Sequence, residues 1–481
     1  MTLYLPGFHL QTLRRKPRSA LKKLADEKAR IKQHSITQLG ECFSHFIPVQ
    51  ELDNHTSGQF SRRRLFSKTN IFWAFFSQVL DADGSCQEAV RKVQAFAAAK
   101  SLPQPSSSTS AYCQARQKLN RKTLEDILKH TSLPSSSALS ERRVVVVDGT
   151  GVSMPDTDKN QSEWPQVANQ KPGCGFPQAR ICACFDLRTG LLLSHAIGNK
   201  KNHELPLLRQ QHDTFKAGDI FLGDKGFCSF YDVWQFQQRG VDSVITLARR
   251  TPVSEGAAVK VLGPDDILMQ WPRPSWNKAL SYSKEEWSRL PKHLTLRQIK
   301  VSVETPGFRV KSFYLITTLL DPAEYSANAL SDLYRQRWDV ELFFRDIKTT
   351  MDMDVLSCRD PEMVRKEILM HFIAYNAIRR MMGHAAKKIG LLPRQISFKA
   401  CIQALRQWEP RLSQPGLTAQ EMRERMASLL EAIADKTLTY RPGRQEPRCM
   451  KRRPKPFSFL TRPRHEMKEV ARRGKKHAKQ A

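Results

Sequence analysis

Tyr334-Arg-Gln-Arg-Trp-Asp-Val-Glu-Leu-Phe-Phe-Arg-Asp-Ile-Lys348 is the stretch from which the fold of this chain can be worked out. Its spacing predicts a helix, because polar and apolar residues separate onto two neighbouring strips of a helical wheel. The polar strip is about 60° wide and holds Tyr334, Arg337, Glu341 and Lys348. The apolar strip holds Leu333, Val340, Phe343, Phe344 and Ile347. Such a helix can bury one side in a core and keep four functional groups along its edge.

The predicted helix begins upstream of this stretch. Asp321 is the expected N-cap, Pro322 suits the first helical position, and Glu324 completes a capping-box pattern. Taken alone, the polar strip favours an ordinary solvated face. Arg337 and Glu341 would then form an i,i+4 pair that contributes a few tenths of a kcal/mol. The rest of the chain favours a functional interpretation instead.

Charge and length limit the classes of protein to which the chain can belong. Its 481 residues exceed what one compact core accommodates, so at least two domains are expected. The 78 Lys and Arg against 47 Asp and Glu give a net charge of +31, which predicts a polyanionic partner, with nucleic acid as the first candidate. A ribosome-associated or membrane-surface protein is the alternative on charge alone.

Cysteine spacing and hydropathy exclude two further classes. The ten cysteines include no Cys-x-x-Cys pair, which argues against a zinc finger or ribbon. The first residues lack the pattern of a signal peptide, and no apolar run reaches the roughly 18 residues that span a bilayer. We therefore expect no membrane partner and a cytoplasmic location with reduced thiols.

Composition shifts along the chain predict five segments. Residues 1–135 are predicted as a mostly helical, basic N-terminal domain that binds DNA, with a helical packing domain as the alternative. Strands and helices then predict a mixed sheet flanked by helices over 136–250 and 311–435, the second part ending in C-terminal helices. Residues 251–310, rich in Pro and Trp, are predicted as a β-rich insertion. Residues 436–481 form a basic tail, expected to lie extended on phosphates, with a solubilising tail as the alternative.

Two predicted buried strands each lead to an aspartate that is followed closely by glycine. Val144–Val147 is expected to end at Asp148-Gly149, and the strand at 219–223 is expected to end at Asp224-Lys-Gly226. Carboxylates on neighbouring strands can share divalent cations, and Glu341 on the helix edge supplies a third. Three carboxylates can hold two Mg²⁺ ions for in-line attack at phosphorus, with Mn²⁺ as a possible substitute. The alternative role of each aspartate is to form a turn at the end of its strand without binding metal.

These motifs together resemble a known family. Asp148-Gly-Thr, Asp224-Lys-Gly-Phe and Tyr334-x2-Arg337-x3-Glu341-x6-Lys348 resemble the D, D and Y-R-E-K signatures of DDE transposases of the insertion-sequence-four type. The resemblance covers roughly residues 110–390. Two features depart from the pattern: Lys225 stands where Arg is expected, and Asp339 adds a carboxylate that the wheel directs away from the polar strip.

The resemblance implies a fold and a reaction. It implies a ribonuclease-H-like α/β core that is interrupted by the β-rich insertion before the glutamate. It also implies metal-dependent cut-and-paste transposition by a homodimer that pairs terminal inverted repeats in a synaptic complex and inserts the element into target DNA. Asp148, Asp224 and Glu341 would then be the catalytic metal ligands. The residues that would contact DNA phosphates are Tyr334, Arg337 and Lys348.

Some assignments stay open. In this family an insertion-domain tryptophan can hold a flipped base when the ends pass through a hairpin, and Trp271, Trp276 and Trp287 are the candidates, with core packing as the alternative. His203-Glu204 either lines the site or simply begins a helix. The alternative functions are a non-transposing nuclease on the same fold and a catalytically silent DNA-binding regulator of element ends. The presence of all three carboxylates favours the transposase over the regulator.

Overall fold

The computed structural model describes most of the chain between residues 66 and 438, together with a short segment near the C-terminus. The described residues leave out most of residues 1–65 of the predicted N-terminal domain and most of the basic tail. Besides isolated positions at 47, 52, 59, 60 and 252, the described ranges are 66–99, 104–133, 142–199, 203–248, 254–276, 283–302, 312–412, 417–438 and 459–467.

In the described residues, four helices precede the first strand. The first begins where the Ser67 side chain accepts a hydrogen bond from the amide of Asn70, and its bulky apolar run is buried. The fourth begins at Asn120, whose side chain accepts from the amide of Lys122. The helices are α1 (Lys68–Leu80), α2 (Cys86–Ala99), α3 (Ser110–Lys118) and α4 (Arg121–Ser132).

In the part of the chain that the structure describes, nine strands form one mixed sheet. The strands β1 to β9 are Val144–Ser153, Gln178–Asp186, Leu192–Asn199, Ile220–Gly223, Asp242–Thr246, Lys260–Gly263, Asp266–Pro272, His293–Ser302 and Ser312–Thr317. Their order in the sheet is β3-β2-β1-β4-β5-β9-β8-β7-β6. Strands β1, β4 and β5 are parallel neighbours, whereas β2 runs antiparallel to β1 and to β3.

This arrangement confirms the expected ribonuclease-H-like core: an antiparallel three-strand meander is followed by two parallel strands, with helices on both faces. The strands of the predicted insertion do not form a separate sheet. Strands β6, β7 and β8 continue the central sheet, because β9 pairs with β5 on one side and with β8 on the other. The buried pair of Arg297 and Asp266 joins β8 to β7 within this extension.

The remaining helices flank this sheet. Short helices α5 (Asp158–Glu163), α6 (Glu204–Arg209), α7 (Phe230–Gln238) and α8 (Lys284–Ser288) lie between strands. After β9 come α9 (Ala327–Arg335), α10 (Asp339–Arg345), α11 (Pro361–Lys388), α12 (Phe398–Leu412) and α13 (Ala419–Asp435). Asp360 is the N-cap of α11, and Thr418 is the N-cap of α13 in a capping box with Glu421.

The expected start of the helix before Tyr334 is wrong. Asp321 accepts a hydrogen bond from the amide of Ala323 and forms an isolated turn, whereas α9 begins at Ala327 with Ser326 as its N-cap. The helix is also not uniform. A 3-10 turn (Gln336–Trp338) joins α9 to α10, and a π-helical turn (Asp346–Thr350) follows α10. Such turns alter the angle between residues, so a single wheel describes the stretch only approximately.

The first predicted strand end is wrong as well. Strand β1 continues past Asp148 to Ser153, because β2 pairs with it along its whole later half, as far as Ser153 with Gln178. Asp148 therefore lies within a strand and not at a turn. The second strand does end at Gly223, directly before Asp224.

Two apolar cores lie on opposite faces of the sheet. One contains Val146 and the helices of both ends of the described chain, since α1 and α4 pack against α11. Asn376 of α11 joins this layer to the sheet by hydrogen bonds to the backbone of Leu192 and to the side chains of Thr131 and Ser132. The other core contains Val147, α6 and α7. In the part of the chain that the structure describes, no helix has the length and hydropathy required to cross a membrane.

Candidate active site

Asp148 and Asp224 lie at the same end of the sheet. Strands β1 and β4 are parallel neighbours, with Val146 opposite Leu222, so the residues two positions further along reach the same edge. The Asp224 side chain accepts a hydrogen bond of 2.8 Å from the amide of Gly226 and caps the short turn at Lys225–Phe227. The Asp148 carboxylate accepts one of 2.7 Å from the amide of Gly149. Backbone amides thus orient both carboxylates.

Helix α10 brings Glu341 to this edge. Its apolar side is buried against the sheet, where the rings of Phe343 and Phe344 lie 5.5 and 5.3 Å from that of Phe185 on β2. This packing leaves Glu341 exposed on the side that faces β1. A cleft of about 440 Å³ results, and its lining residues are Asp148, Gly149, Thr150, Glu341, Phe344, Arg345, Lys348, Thr349 and Asp354.

The other predicted residues surround the same carboxylates. Arg337 Nη1 lies 3.5 Å from Asp148 Oδ2, and both side chains are largely buried, with 12% and 21% exposed. The Tyr334 hydroxyl contacts the hydroxyl of Thr246 at the end of β5, and the Arg337 guanidinium lies over its ring. Lys348 forms an ion pair of 2.9 Å with Asp354. All six residues predicted from the sequence therefore converge on one region.

Asp148 lies in an environment that disfavours its ionised form. Burial raises the pKa of Asp148 to about 6, and the charges of Asp224 and Glu204 add to the rise. The amide of Gly149 and the charge of Arg337 act in the opposite direction. Burial also raises the pKa of Tyr334, which is influenced by Arg337 and Asp224. The carboxylates at this edge thus repel one another, and a cation placed among them would relieve that repulsion.

Comparisons with known proteins show the family of the chain. The family model described as "Transposase DDE domain" matches residues 139–377. The chain is 26% identical over 407 residues to the transposase InsG for insertion sequence element IS4 of Escherichia coli strain K12. The matched region covers 82% of this chain and 87% of that protein. The chain belongs to the DDE transposases of the insertion-sequence-four type. As such it is an insertion-sequence transposase, an enzyme of DNA cleavage and strand transfer that depends on a divalent metal ion.

More distant relatives extend the comparison. The transposase for insertion sequence element IS231F of Bacillus thuringiensis subsp. israelensis is 23% identical over 279 residues, which span 50% of this chain and 57% of that protein. Among solved structures, the piggyBac transposase synaptic complex with hairpin DNA has a TM-score of 0.44 at 11% identity and covers 82% of this chain and 86% of that one.

The residues of the transposase's cleft fit a divalent cation by their donor chemistry. Asp148, Asp224 and Glu341 offer hard carboxylate oxygens, which favour Mg²⁺ or Mn²⁺ over zinc. In the described residues, however, no group of three or more His, Cys, Asp and Glu side chains lies close enough together to hold an ion. Asp148 and Glu341 line the cleft, and Asp224 lies beside Asp148 at the same sheet edge without lining it.

The structure also gives the positions of Asp339 and of the tryptophan candidates. Asp339 points away from the cleft and binds Arg394 at 2.7 Å. Trp271 and Trp287 are buried in the core beside α7, whereas Trp276 is only half-buried at its margin. The exposed Trp338, next to Arg337, was not singled out by sequence reasoning, although its position inside the polar motif was a usable signal.

Glu204 is the site neighbour that sequence reasoning left undecided. It begins α6 as expected, but it also forms an ion pair of 3.1 Å with Arg180 and lies against Gly149. Glu204 therefore both begins a helix and lies beside the site, so the two interpretations of His203-Glu204 are compatible for this residue. The signal in the sequence was Gly149 itself, since a strand residue without a side chain leaves space for a neighbour's carboxylate.

Proposed function

We propose that this transposase moves its element by cut-and-paste transposition: it hydrolyses phosphodiester bonds at the terminal inverted repeats and transfers the freed ends to target DNA. Two Mg²⁺ ions, which Mn²⁺ can replace, would be held by Asp148, Asp224 and Glu341. One observation carries the proposal: Asp148 and Glu341 line a single cleft, and Asp224 lies beside Asp148 at the same sheet edge.

The bound ions would activate a water molecule or a 3′-hydroxyl group and stabilise the leaving oxygen. The protein's own part is to orient and to bind. Strands β1 and β4 fix the two aspartates relative to each other through a rigid sheet, and the core contacts of α10 fix Glu341 against them. Because the cleft is open on one side, an extended DNA strand can reach it.

Tyr334, Arg337 and Lys348 are proposed to contact phosphates next to the cleaved bond. Each now has a weaker partner that a phosphate can replace: a hydroxyl for Tyr334, a carboxylate at 3.5 Å for Arg337 and the exposed Asp354 for Lys348. Among the described residues, the buried Nε of Arg337 has no hydrogen-bond partner. A phosphate oxygen would supply one, in the bidentate geometry that guanidinium favours.

The charge of the whole chain supports a large DNA interface. Residues 441–481 contain 15 Lys and Arg but 3 Asp and Glu. We propose that this tail and the N-terminal domain, residues 1–135, bind the backbone of the element ends, as phosphate contacts provide affinity without sequence specificity. One such cleft is present in the described part of each chain, so pairing two ends requires two copies, which supports a homodimer. DNA binding of this kind would associate the protein with the nucleoid.

The proposal is tested by cleavage of a duplex that carries one element end, with Mg²⁺. Asp148→Asn, Asp224→Asn and Glu341→Gln should each abolish cleavage and leave end binding without metal largely intact. Asp339→Asn is the matched control, because it removes a neighbouring carboxylate that faces Arg394 instead of the cleft. Cleavage at the wild-type rate by any of the three variants would remove that residue from the site.

The same assay separates the alternatives. A catalytically silent regulator would bind the ends without cutting them, and a non-transposing nuclease would cut without joining the ends to a target plasmid. The presence of all three carboxylates favours cutting, because Asp148 and Glu341 line one cleft and Asp224 shares the sheet edge with Asp148. The transposase is expected to produce both cleaved ends and joined products.

A further inference from the structure

Glu204 is a fourth carboxylate near the transposase's cleft, and it approaches from the opposite face of the sheet. Because side chains alternate along a strand, Asp148 faces α10 whereas Gly149 faces α6. Helix α6 packs against β2, β3 and the turn at Lys225–Phe227, and Glu204 is its first residue. The carboxylate of Glu204 occupies the space that a side chain at Gly149 would fill.

The same carboxylate also reaches the second aspartate motif. A Cβ at Gly226 would lie 3.0 Å from Asp224 Oδ1 and 3.8 Å from Glu204 Oε2, so both carboxylates border this glycine. Glu204 therefore touches the backbone that follows Asp148 and faces the backbone that follows Asp224. Gly149 allows this approach, because a side chain at that position would overlap the carboxylate.

A cation on β2 holds Glu204 in this place. Arg180 Nη1 lies 3.1 Å from Glu204 Oε1, and the two side chains are 29% and 25% exposed. Arg180 is opposite Gly151 in the β1–β2 pairing, next to the strand segment that carries Asp148. Glu204 thus has a defined partner and a defined contact surface, which distinguishes it from a freely rotating surface carboxylate.

We propose that Glu204 is a positioning residue of the metal site: it fixes the Asp148 and Asp224 segments relative to each other and adds a negative charge that strengthens binding of the divalent cation. It acts through these segments and is not proposed as a ligand. The inference rests on the proposed metal site and adds a residue that lies outside the three-carboxylate signature.

The first test is the charge-neutral variant Glu204→Gln. A unit charge within roughly 10 Å of a divalent ion changes its binding by about 3- to 10-fold in a water-like dielectric. The Mg²⁺ concentration for half-maximal end cleavage should therefore rise by about that factor, while the rate at saturating Mg²⁺ changes less. Titration of Mn²⁺ followed by electron paramagnetic resonance should show the same weakening without any reaction. Glu163→Gln, which removes another arginine-paired glutamate, is the control.

The second test uses the glycine. Gly149→Ala places a methyl group where the Glu204 carboxylate lies and should displace it, so this variant should weaken Mn²⁺ binding about as much as Glu204→Gln does. The combination of both substitutions should be no worse than either alone. Gly151→Ala is the matched control on the same strand, since its added carbon would meet only a backbone oxygen at an ordinary 3.8 Å.

The outcomes distinguish this inference from the proposed function. Unchanged Mn²⁺ binding in Glu204→Gln, or independent and additive effects of the Gly149 and Glu204 substitutions, would overturn the positioning role even if the wild type cuts DNA. A wild type that binds Mn²⁺ but cuts no element end would contradict the proposed function. In that case the same Mn²⁺ titration still decides the role of Glu204.

Discussion

Replacing Asp148 with Asn should stabilise the metal-free transposase at neutral pH. The pKa of Asp148 is raised from 3.8 to about 6, chiefly by burial, so the folded protein favours the protonated carboxyl. A pKa shift of one unit corresponds to about 1.4 kcal/mol. The ionised carboxylate therefore destabilises the fold by at most about 3 kcal/mol. Asparagine keeps the shape and its side-chain oxygen can still accept the hydrogen bond from the Gly149 amide, but it carries no charge.

The sign of this effect fixes its pH dependence. Above pH 6 the carboxyl is ionised in both the folded and the unfolded state, and the full penalty applies. Between pH 6 and pH 4 the folded state takes up its proton first and the penalty disappears. Asp148→Asn should thus raise the free energy of unfolding by about 1–3 kcal/mol at pH 7.5 and by almost nothing at pH 4.

Thermal and urea unfolding in EDTA, at pH values from 4 to 8, measures this difference. Asp213→Asn is the control, because Asp213 is paired with Arg239 at 3.0 Å but its side chain is 98% exposed. Addition of Mg²⁺ should stabilise the wild type more than the variant, because the variant lacks one of the three proposed ligands. The electrostatic account would be refuted if the variant were less stable than the wild type at pH 7.5. It would also be refuted if the substitution changed the free energy of unfolding equally at pH 7.5 and pH 4.

Two further predictions concern the β extension of the sheet and the DNA interface. Arg297→Ala should lower the free energy of unfolding by about 3–5 kcal/mol, because it leaves the buried Asp266 carboxylate without its partner. The double variant Arg297→Met with Asp266→Leu should recover most of this loss. Denaturant midpoints measure both effects. Binding of an element end should weaken by about 10³–10⁵ between 50 and 200 mM salt if 6–10 phosphates are neutralised; a flat salt response in a fluorescence anisotropy titration would argue against the basic tail as a DNA contact.

The sequence predicted the residues of the site better than their surroundings. Tyr334, Arg337, Glu341 and Lys348 are defined by short helical spacing, which survives the 3-10 and π turns because these interruptions are only a few residues long. The buried strand at Val144 was predictable from its β-branched run. These are local patterns, and local patterns carry over from sequence to structure most directly.

Features set by distant partners were not predictable in this way. The continuation of β1 past Asp148 depends on pairing with β2, and the continuation of the sheet through the insertion depends on β9 reaching β5. The orientation of Glu341 depends on the packing of Phe343 against Phe185, from an element far away in the chain. The contact between Glu204 and Gly149 likewise joins two elements whose approach no periodicity encodes.

The N-cap shows how a correct rule can select the wrong residue. Asp321-Pro322 matches the pattern of a helix start, and Ser326 matches it less completely. The structure uses the first as a turn and the second as the cap. Since both residues can accept a hydrogen bond from a backbone amide, the choice depends on where α9 meets the end of the sheet.

The most direct test of the central claim is the position of bound metal. A crystal of the transposase with one element end and Mn²⁺, with data collected at the manganese absorption edge, locates the ions by anomalous scattering. The account predicts two peaks about 3.5–4 Å apart, each in contact with carboxylate oxygens of Asp148, Asp224 or Glu341. Peaks bound elsewhere, or an ordered DNA end in the cleft with no ion among these three carboxylates, would contradict it.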